Sequence, residues 1–187
     1  MKFAATFFGC VLLLLCLTPC FCVAEETNTP SLGTGTNAAP AIVLRNLDGD
    51  YVFLSNICYP GPENKSKPKS TVVLNFMAID CVPCKKELPV FLKTVSEYKD
   101  KGVRPFLVST DDFSKQEDLK AMLKEFNVTC EVLLDPYKVA CKKLNVTEIP
   151  LTIILSRSGG IVGFFCAGEQ YEKQLKEGLD KALKTVD

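Results

Sequence analysis

Apolar residues along this chain fall into short runs separated by longer stretches of helical spacing. From Ala41, "AIVLRNLDGDYVFLSNI" places apolar residues on both sides of Asp48-Gly49, a dipeptide that favours the tight turn of a β-hairpin. "TVVLNF" (71–76) is a short continuous apolar run of strand length, the pattern of a strand covered on both faces, and "VRPFLVS" (103–109), "EVLL" (131–134), "LTIIL" (151–155) and "IVGFFCA" (161–167) read as further strands. Helical spacing appears between them. Leu88, Phe91, Leu92, Val95 and Tyr98 share one face, as do Leu119, Met122, Leu123 and Phe126, and as do Tyr171, Leu175, Leu179 and Leu183. Ser114 to Glu117 has the form of a capping box opening the second of these helices. Asp135-Pro136 ends a strand before a short helix reaching Leu144. Strands alternating with helices predict an α/β layered domain with a mostly parallel centre. The turn "SRSGG" is too short for a crossover, so the last two strands are antiparallel.

The ends of the chain read differently. Met1–Ala24 has a basic Lys2, an apolar "FFGCVLLLLCL" and a small-x-small "CVA", the layout of a secretory signal peptide. Its apolar run is shorter than the ~20 residues of a membrane span. Lipid modification at Cys16 or Cys20 ranks second, because Leu15 and Pro19 stand where a small residue is wanted. Residues 25–40, "EETNTPSLGTGTNAAP", have the composition of a flexible tether, and 41–187 form the folded domain. Cys58–Ser70 is a Pro/Lys-rich surface loop.

Composition narrows the chemistry. Lys+Arg and Asp+Glu balance at 22 each, so no basic field points to nucleic acid. Histidine is absent, which removes His-based acid–base catalysis, His metal ligands and Cys-x-x-Cys-His haem attachment. Export would place Cys58, Cys81, Cys84, Cys130, Cys141 and Cys166 where disulfides persist.

Cys81 and Cys84 stand at the junction of a buried strand and a helix, in "AIDCVPCKKELP". At a helix start, free N–H groups and the macrodipole favour a thiolate, so Cys81 is the candidate attacking sulfur. Cys84 lies one turn on, within bonding reach and more buried. Pro83 sits in the first turn, where its missing N–H costs nothing, and Pro89 should kink the helix. Zinc would want a second ligand pair, which the chain lacks. A purely structural bridge over so short a loop gains little chain entropy. The pair therefore reads as redox-active, with no cofactor or metal. Cys58, Cys130, Cys141 and Cys166 read as small buried hydrophobes or as one structural disulfide, and Cys130–Cys141 is the pairing expected. The Asn-x-Ser/Thr triplets at Asn64, Asn127 and Asn145 carry no weight.

With those residues in place, "TVVLNFMAIDCVPCKKELPVF", "GVRPFLVSTDD" and "VLLDPYKVACKKLNVTEIPLTIILSRSGGIVGFFCAG" resemble the extracytoplasmic thioredoxin-like proteins of the TlpA/ResA type, from about Ala41 to Lys184. The resemblance implies a thioredoxin-like fold with an N-terminal β-hairpin, a strand–helix insertion and a central mixed sheet flanked by helices. It implies thiol–disulfide exchange on exported proteins, often in cytochrome c maturation; reduction of their disulfides is the leading reading, with oxidation or isomerisation ranked below it. Cys81 matches the attacking cysteine, Cys84 the resolving one, and Glu87 the glutamate that manages the buried thiol's proton. Pro150 matches the cis-proline facing the disulfide, and Ile149 the residue whose backbone pairs with substrate. The implied partners are exported proteins with disulfides or thiols and a membrane electron donor, with no nucleic acid. The implied protein is a monomer in the periplasm or cell envelope, with or without a membrane anchor. Met77 and Asp80 stand where the family carries aromatic residues. The Asp80 charge beside Cys81 should oppose thiolate formation and tune the pair toward reduction. Two other functions compete: a thiol peroxidase of the peroxiredoxin-like class, whose site residues are missing, and a metal carrier, whose added histidine is missing.

Overall fold

The computed structural model describes residues 38–58 and 69–184. The signal-peptide reading of 1–24, the tether up to residue 37, most of the Pro/Lys-rich loop and the Asn64 triplet lie outside the described residues. Seven strands form one mixed sheet in the order β2-β1-β5-β4-β3-β6-β7. The hairpin is β1 (Val43–Asn46) and β2 (Tyr51–Phe53), followed by a one-turn helix α1 (Ser55–Cys58). At its turn, Gly49 has φ +90 and the Asn46 side chain accepts from the N–H groups of Asp48 and Asp50. Only a residue free of Cβ crowding holds that φ without strain.

The centre is β3 (Thr71–Met77), β4 (Val103–Ser109) and β5 (Glu131–Leu134), paired in parallel. Antiparallel β6 (Leu151–Leu155) and β7 (Ile161–Cys166) extend one edge, and the hairpin extends the other through β1 and β5. Helices α2 (Val82–Ser96), α3 (Gln116–Glu125) and α5 (Tyr171–Lys184) contribute side chains to the core on one face, with Val73, Leu107, Val132 and Ile154. Helices α1 and α4 (Val139–Lys143) contribute to the core on the other, with Val72, Leu74, Phe76, Phe106, Val108 and Ile153. Alternation along each strand thus feeds two cores, which explains runs apolar at nearly every position.

Several expectations change. Ala38–Pro40 belong to the folded unit rather than to a tether: Ala38 bridges to Gly160, and buried Ala39 donates its N–H to the Gly159 carbonyl at 2.8 Å. Backbone links to the β6–β7 turn and a small buried apolar side chain help to fix a segment whose composition looks unstructured. The cap before α3 is Asp112, whose carboxylate accepts from Ser114 N–H, and a 3-10 turn (Phe113–Lys115) precedes the helix. Pro89 lies inside α2, where the sequence places it, and the helix runs on to Ser96. Cys130 and Cys141 are both free thiols. They cannot pair because Cys130 packs against the α2/α3/α5 core and Cys141 sits in the α1/α4 core, with the sheet between them.

Asn127 and Asn145, each in the tripeptide Asn-Val-Thr, take φ 51 and φ 54 directly after the caps of α3 and α4. The next residues, Val128 and Val146, donate back to Leu123 and Cys141 carbonyls at 2.9 and 2.8 Å. Asparagine tolerates the left-handed conformation, so both triplets are helix stops of the Schellman type.

Candidate active site

The reactive end lies where β3 leaves the sheet. Asp111, after β4, accepts from Ile79 N–H with both carboxylate oxygens (3.2 and 3.0 Å) and from Ser109 Oγ at 2.8 Å. Thr110 N–H donates to Met77 O at 2.9 Å. These bonds hold the segment 77–80 against the end of β4 and aim the chain into α2. Cys81 is the N-cap: its backbone is extended, and its sulfur accepts from Cys84 N–H at 3.2 Å. That free N–H of the first turn stabilises negative charge on the same sulfur once the pair is reduced.

Cys81 and Cys84 form a disulfide, with Cα atoms 5.2 Å apart. Cys84 is buried at 2% exposure, while Cys81 is half-buried beside exposed Val82 and Pro83. An incoming sulfur therefore reaches Cys81 and not Cys84. Cys81 Sγ lies 3.9 Å from the Ile149 carbonyl oxygen, and the Ile149–Pro150 bond is cis. Ile149 is half-buried and Pro150 buried. The sequence-named residues Cys81, Cys84, Ile149 and Pro150 thus meet at one point.

Asp80 is different. Its side chain is 78% exposed and ion-paired with Lys115, which holds its carboxyl below the usual carboxylate range. The expected repulsion of the Cys81 thiolate is therefore offset by an ammonium bound to the same carboxylate.

Glu87, three residues past Cys84, is buried at 6% exposure. Its Oε1 accepts from Asn75 Nδ2 at 2.9 Å, while Oε2 has no hydrogen-bond partner. Burial raises its pKa above the ordinary glutamate value, against the opposing Asn75 bond. A folded-state pKa above the unfolded one means that the contribution of Glu87 to stability is fully present below the unfolded value. It is lost as pH rises through the folded value. Glu87→Gln should accordingly gain stability over the parent at neutral and alkaline pH and gain less at pH 4, read by urea titration at each pH. A constant difference across pH would show that Glu87 does not titrate as this burial requires.

Sequence reasoning missed the surroundings of Glu87. Asn75 also donates to Thr152 Oγ1 at 2.8 Å, and Thr152 shares a 2.7 Å bond with the Tyr171 hydroxyl. The signal was present: Asn75 and Thr152 are the polar interruptions of "TVVLNF" and "LTIIL", and the sheet register pairs them directly. Burial pushes the thiol of Cys58 up to about 12, that of Cys130 to about 11 and that of Cys141 to about 12, which keeps all three protonated and inert. Cys166 is exposed at the end of β7, opposite Leu151. Among the described residues there is no group of three or more Cys, Asp or Glu that could hold a metal ion, and no helix long and apolar enough to cross a membrane.

Known proteins resemble this chain in sequence and in fold. The thiol-disulfide oxidoreductase ResA of Bacillus thuringiensis subsp. konkukian is 27% identical over 143 residues, 76% of this chain and 75% of its own. The thioredoxin-like protein YneN of Bacillus subtilis is 28% identical over 142 residues, 76% of each chain. Among solved structures, the thioredoxin domain of a thiol-disulfide oxidoreductase from Bacteroides vulgatus superposes with a TM-score of 0.62 at 27% identity, covering 76% of this chain and 96% of that one. A putative thiol:disulfide interchange protein DsbE from Chlorobium tepidum gives 0.67 at 23% identity, over 79% and 96%, and shares the fold. The family model for AhpC/TSA matches residues 36–163, which take in the hairpin, the disulfide, the cis-proline and the start of β7, and the chain belongs to the AhpC/TSA family.

Proposed function

We propose that this protein is a thiol–disulfide oxidoreductase that reduces disulfides of exported proteins in the periplasm or cell envelope. The observation that carries the reading is the asymmetry of the Cys81–Cys84 disulfide. One sulfur is reachable at a helix N-terminus beside the Ile149 carbonyl, and the other is sealed. In the reduced protein, the Cys81 thiolate attacks a client disulfide, forming a mixed disulfide and releasing one client thiolate. Cys84, deprotonated, then attacks Cys81 Sγ and releases the second client thiolate. Two electrons pass to the client, and the protein is left with its own disulfide. Glu87 takes the proton that Cys84 gives up. The backbone of Ile149, exposed by the turn at Pro150, pairs with the client segment. A membrane electron donor restores the dithiol. The ResA and YneN relatives and the signal-like first 24 residues support this setting, and cytochrome c maturation is the client pathway that the family resemblance suggests. The peroxidase reading lacks its site residues before Cys81, and the metal-carrier reading lacks its added histidine.

Equilibration of the pair with glutathione of known poise tests the direction of electron flow. A reductant should lie near the thioredoxin end of the known range, about −270 mV, and a value near about −120 mV would mark an oxidant. Asp80 enters the same experiment. Asp80→Asn leaves the Lys115 ammonium uncompensated near Cys81, which should lower the Cys81 thiol pKa and raise the potential. The pairing with Lys115 and the solvent exposure keep the change small. Alkylation rate against pH in both variants reads it, and an unchanged or raised thiol pKa would remove Asp80 from the tuning of the site.

A further inference from the structure

We propose that the Tyr171 hydroxyl is the second hydrogen-bond donor to the Glu87 carboxylate, made available by the chain Asn75–Thr152–Tyr171, and so is a positioning residue for proton transfer at the disulfide. This rests on Glu87 being the proton partner of Cys84.

The argument is a count of hydrogens. Asn75 Nδ2 has two protons, and both are committed: one to Glu87 Oε1 and one to Thr152 Oγ1. Thr152 Oγ1 therefore accepts from Asn75 and has its own proton to place. Tyr171 OH lies 2.7 Å away, and either hydroxyl can donate in that bond. When Thr152 donates to Tyr171, the phenolic proton is released from Thr152 and needs another acceptor. Glu87 Oε2 is buried and unpartnered, and Glu87 and Tyr171 line the same cleft of about 350 Å³ between α2 and the start of α5. A buried carboxylate oxygen without a donor is costly. Both side chains line that cleft, and a small side-chain turn together with rotation of the phenolic O–H brings donor to acceptor without moving the backbone. The reverse arrangement, with Tyr171 donating to Thr152 and the Thr152 proton turned to another acceptor, frees the phenolic oxygen to accept from the neutral carboxylic acid. The shared bond thus has two settings, one for each protonation state of Glu87.

The other groups facing Glu87 do not replace this donor. Lys86, Glu169 and Glu172 line the cleft, and the Cys166 thiol on β7 feels the Glu87 charge. None of them has a hydrogen bond to Oε2. Tyr171 itself stays protonated, because burial first and the Glu87 charge second push its ionisation above the ordinary tyrosine range. It remains a donor across the working pH range.

The experiment follows the Glu87 side-chain carboxyl carbon by NMR over pH, in the full chain, oxidised and reduced. Tyr171→Phe removes the donor and keeps the ring in the α5 core, so the Glu87 midpoint should move to higher pH. The pH profile of mixed-disulfide resolution should move the same way. Site-specific 3-fluorotyrosine at position 171 keeps the shape and strengthens the donor, so the midpoint should move to lower pH. This second arm also answers the question if the phenylalanine variant fails to fold. Midpoints that do not move, or that move in the same direction in both, would overturn the proposal. Failure of the Glu87 reading is distinguishable, because it would appear as unchanged resolution kinetics in Glu87→Gln whatever Tyr171 does to the titration.

Discussion

Cys84→Ser is expected to turn the protein from a turnover catalyst into a trap. Client disulfides should still be attacked by Cys81, but the mixed disulfide should then persist, because no sulfur stands behind it to displace the client. Cys81→Ser should form no such adduct, and its exchange rate should fall by roughly 10³-fold or more, as when a nucleophile that acts as part of a unit is removed. The asymmetry follows from exposure: Cys84 is 2% exposed and cannot take over the role. Three of the free thiols are held protonated by burial and should not compete. Cys166 is exposed, so the trapping is best done with Cys166→Ala as background. Non-reducing gels and mass spectrometry of a model disulfide peptide read the outcome. Adducts on Cys81→Ser and none on Cys84→Ser would reverse the assignment of roles.

The second large effect concerns the helix that carries the disulfide. Phe91 is fully buried on α2, in the core shared with α3, α5 and one face of the sheet. Phe91→Ala removes an entire ring from a site with no exposed route for collapse, which should cost about 3–5 kcal/mol. In a domain of this size that corresponds to a fall in Tm of about 6–20 °C. Thermal unfolding followed by circular dichroism measures it. A fall under about 2 °C would mean that the neighbouring core refills the space.

Much of this architecture is legible in the sequence because both faces of the sheet are covered. "TVVLNF", "VRPFLVS" and "LTIIL" are then apolar at nearly every position, and their ends are sharp. The disulfide is legible because its chemistry lies within four residues. What stayed hidden depends on distance along the chain. Asn75 and Thr152 are 77 residues apart, and each alone looks like a tolerated polar residue in a strand. Only the β3–β6 register shows that they meet. The Cys130–Cys141 expectation failed for the same reason in reverse: the residues are near in sequence, but strand β5 sends them to opposite cores. Asp80 looked like an isolated charge because Lys115, its partner, comes from the segment after the neighbouring strand.

The contacts of Ala38 and Ala39 with the β6–β7 turn have a practical geometric meaning. Residues 156–160 sit at the far end of β6 from Leu151, and Phe76 beside Leu151 marks the disulfide end of β3. A strand of this length spans ~20 Å. The polypeptide therefore enters the domain at the pole opposite its reactive sulfur. An affinity handle, a fluorophore or an electrode linker attached upstream of Ala38 would leave the Cys81 pole facing outward, unobstructed by its own support.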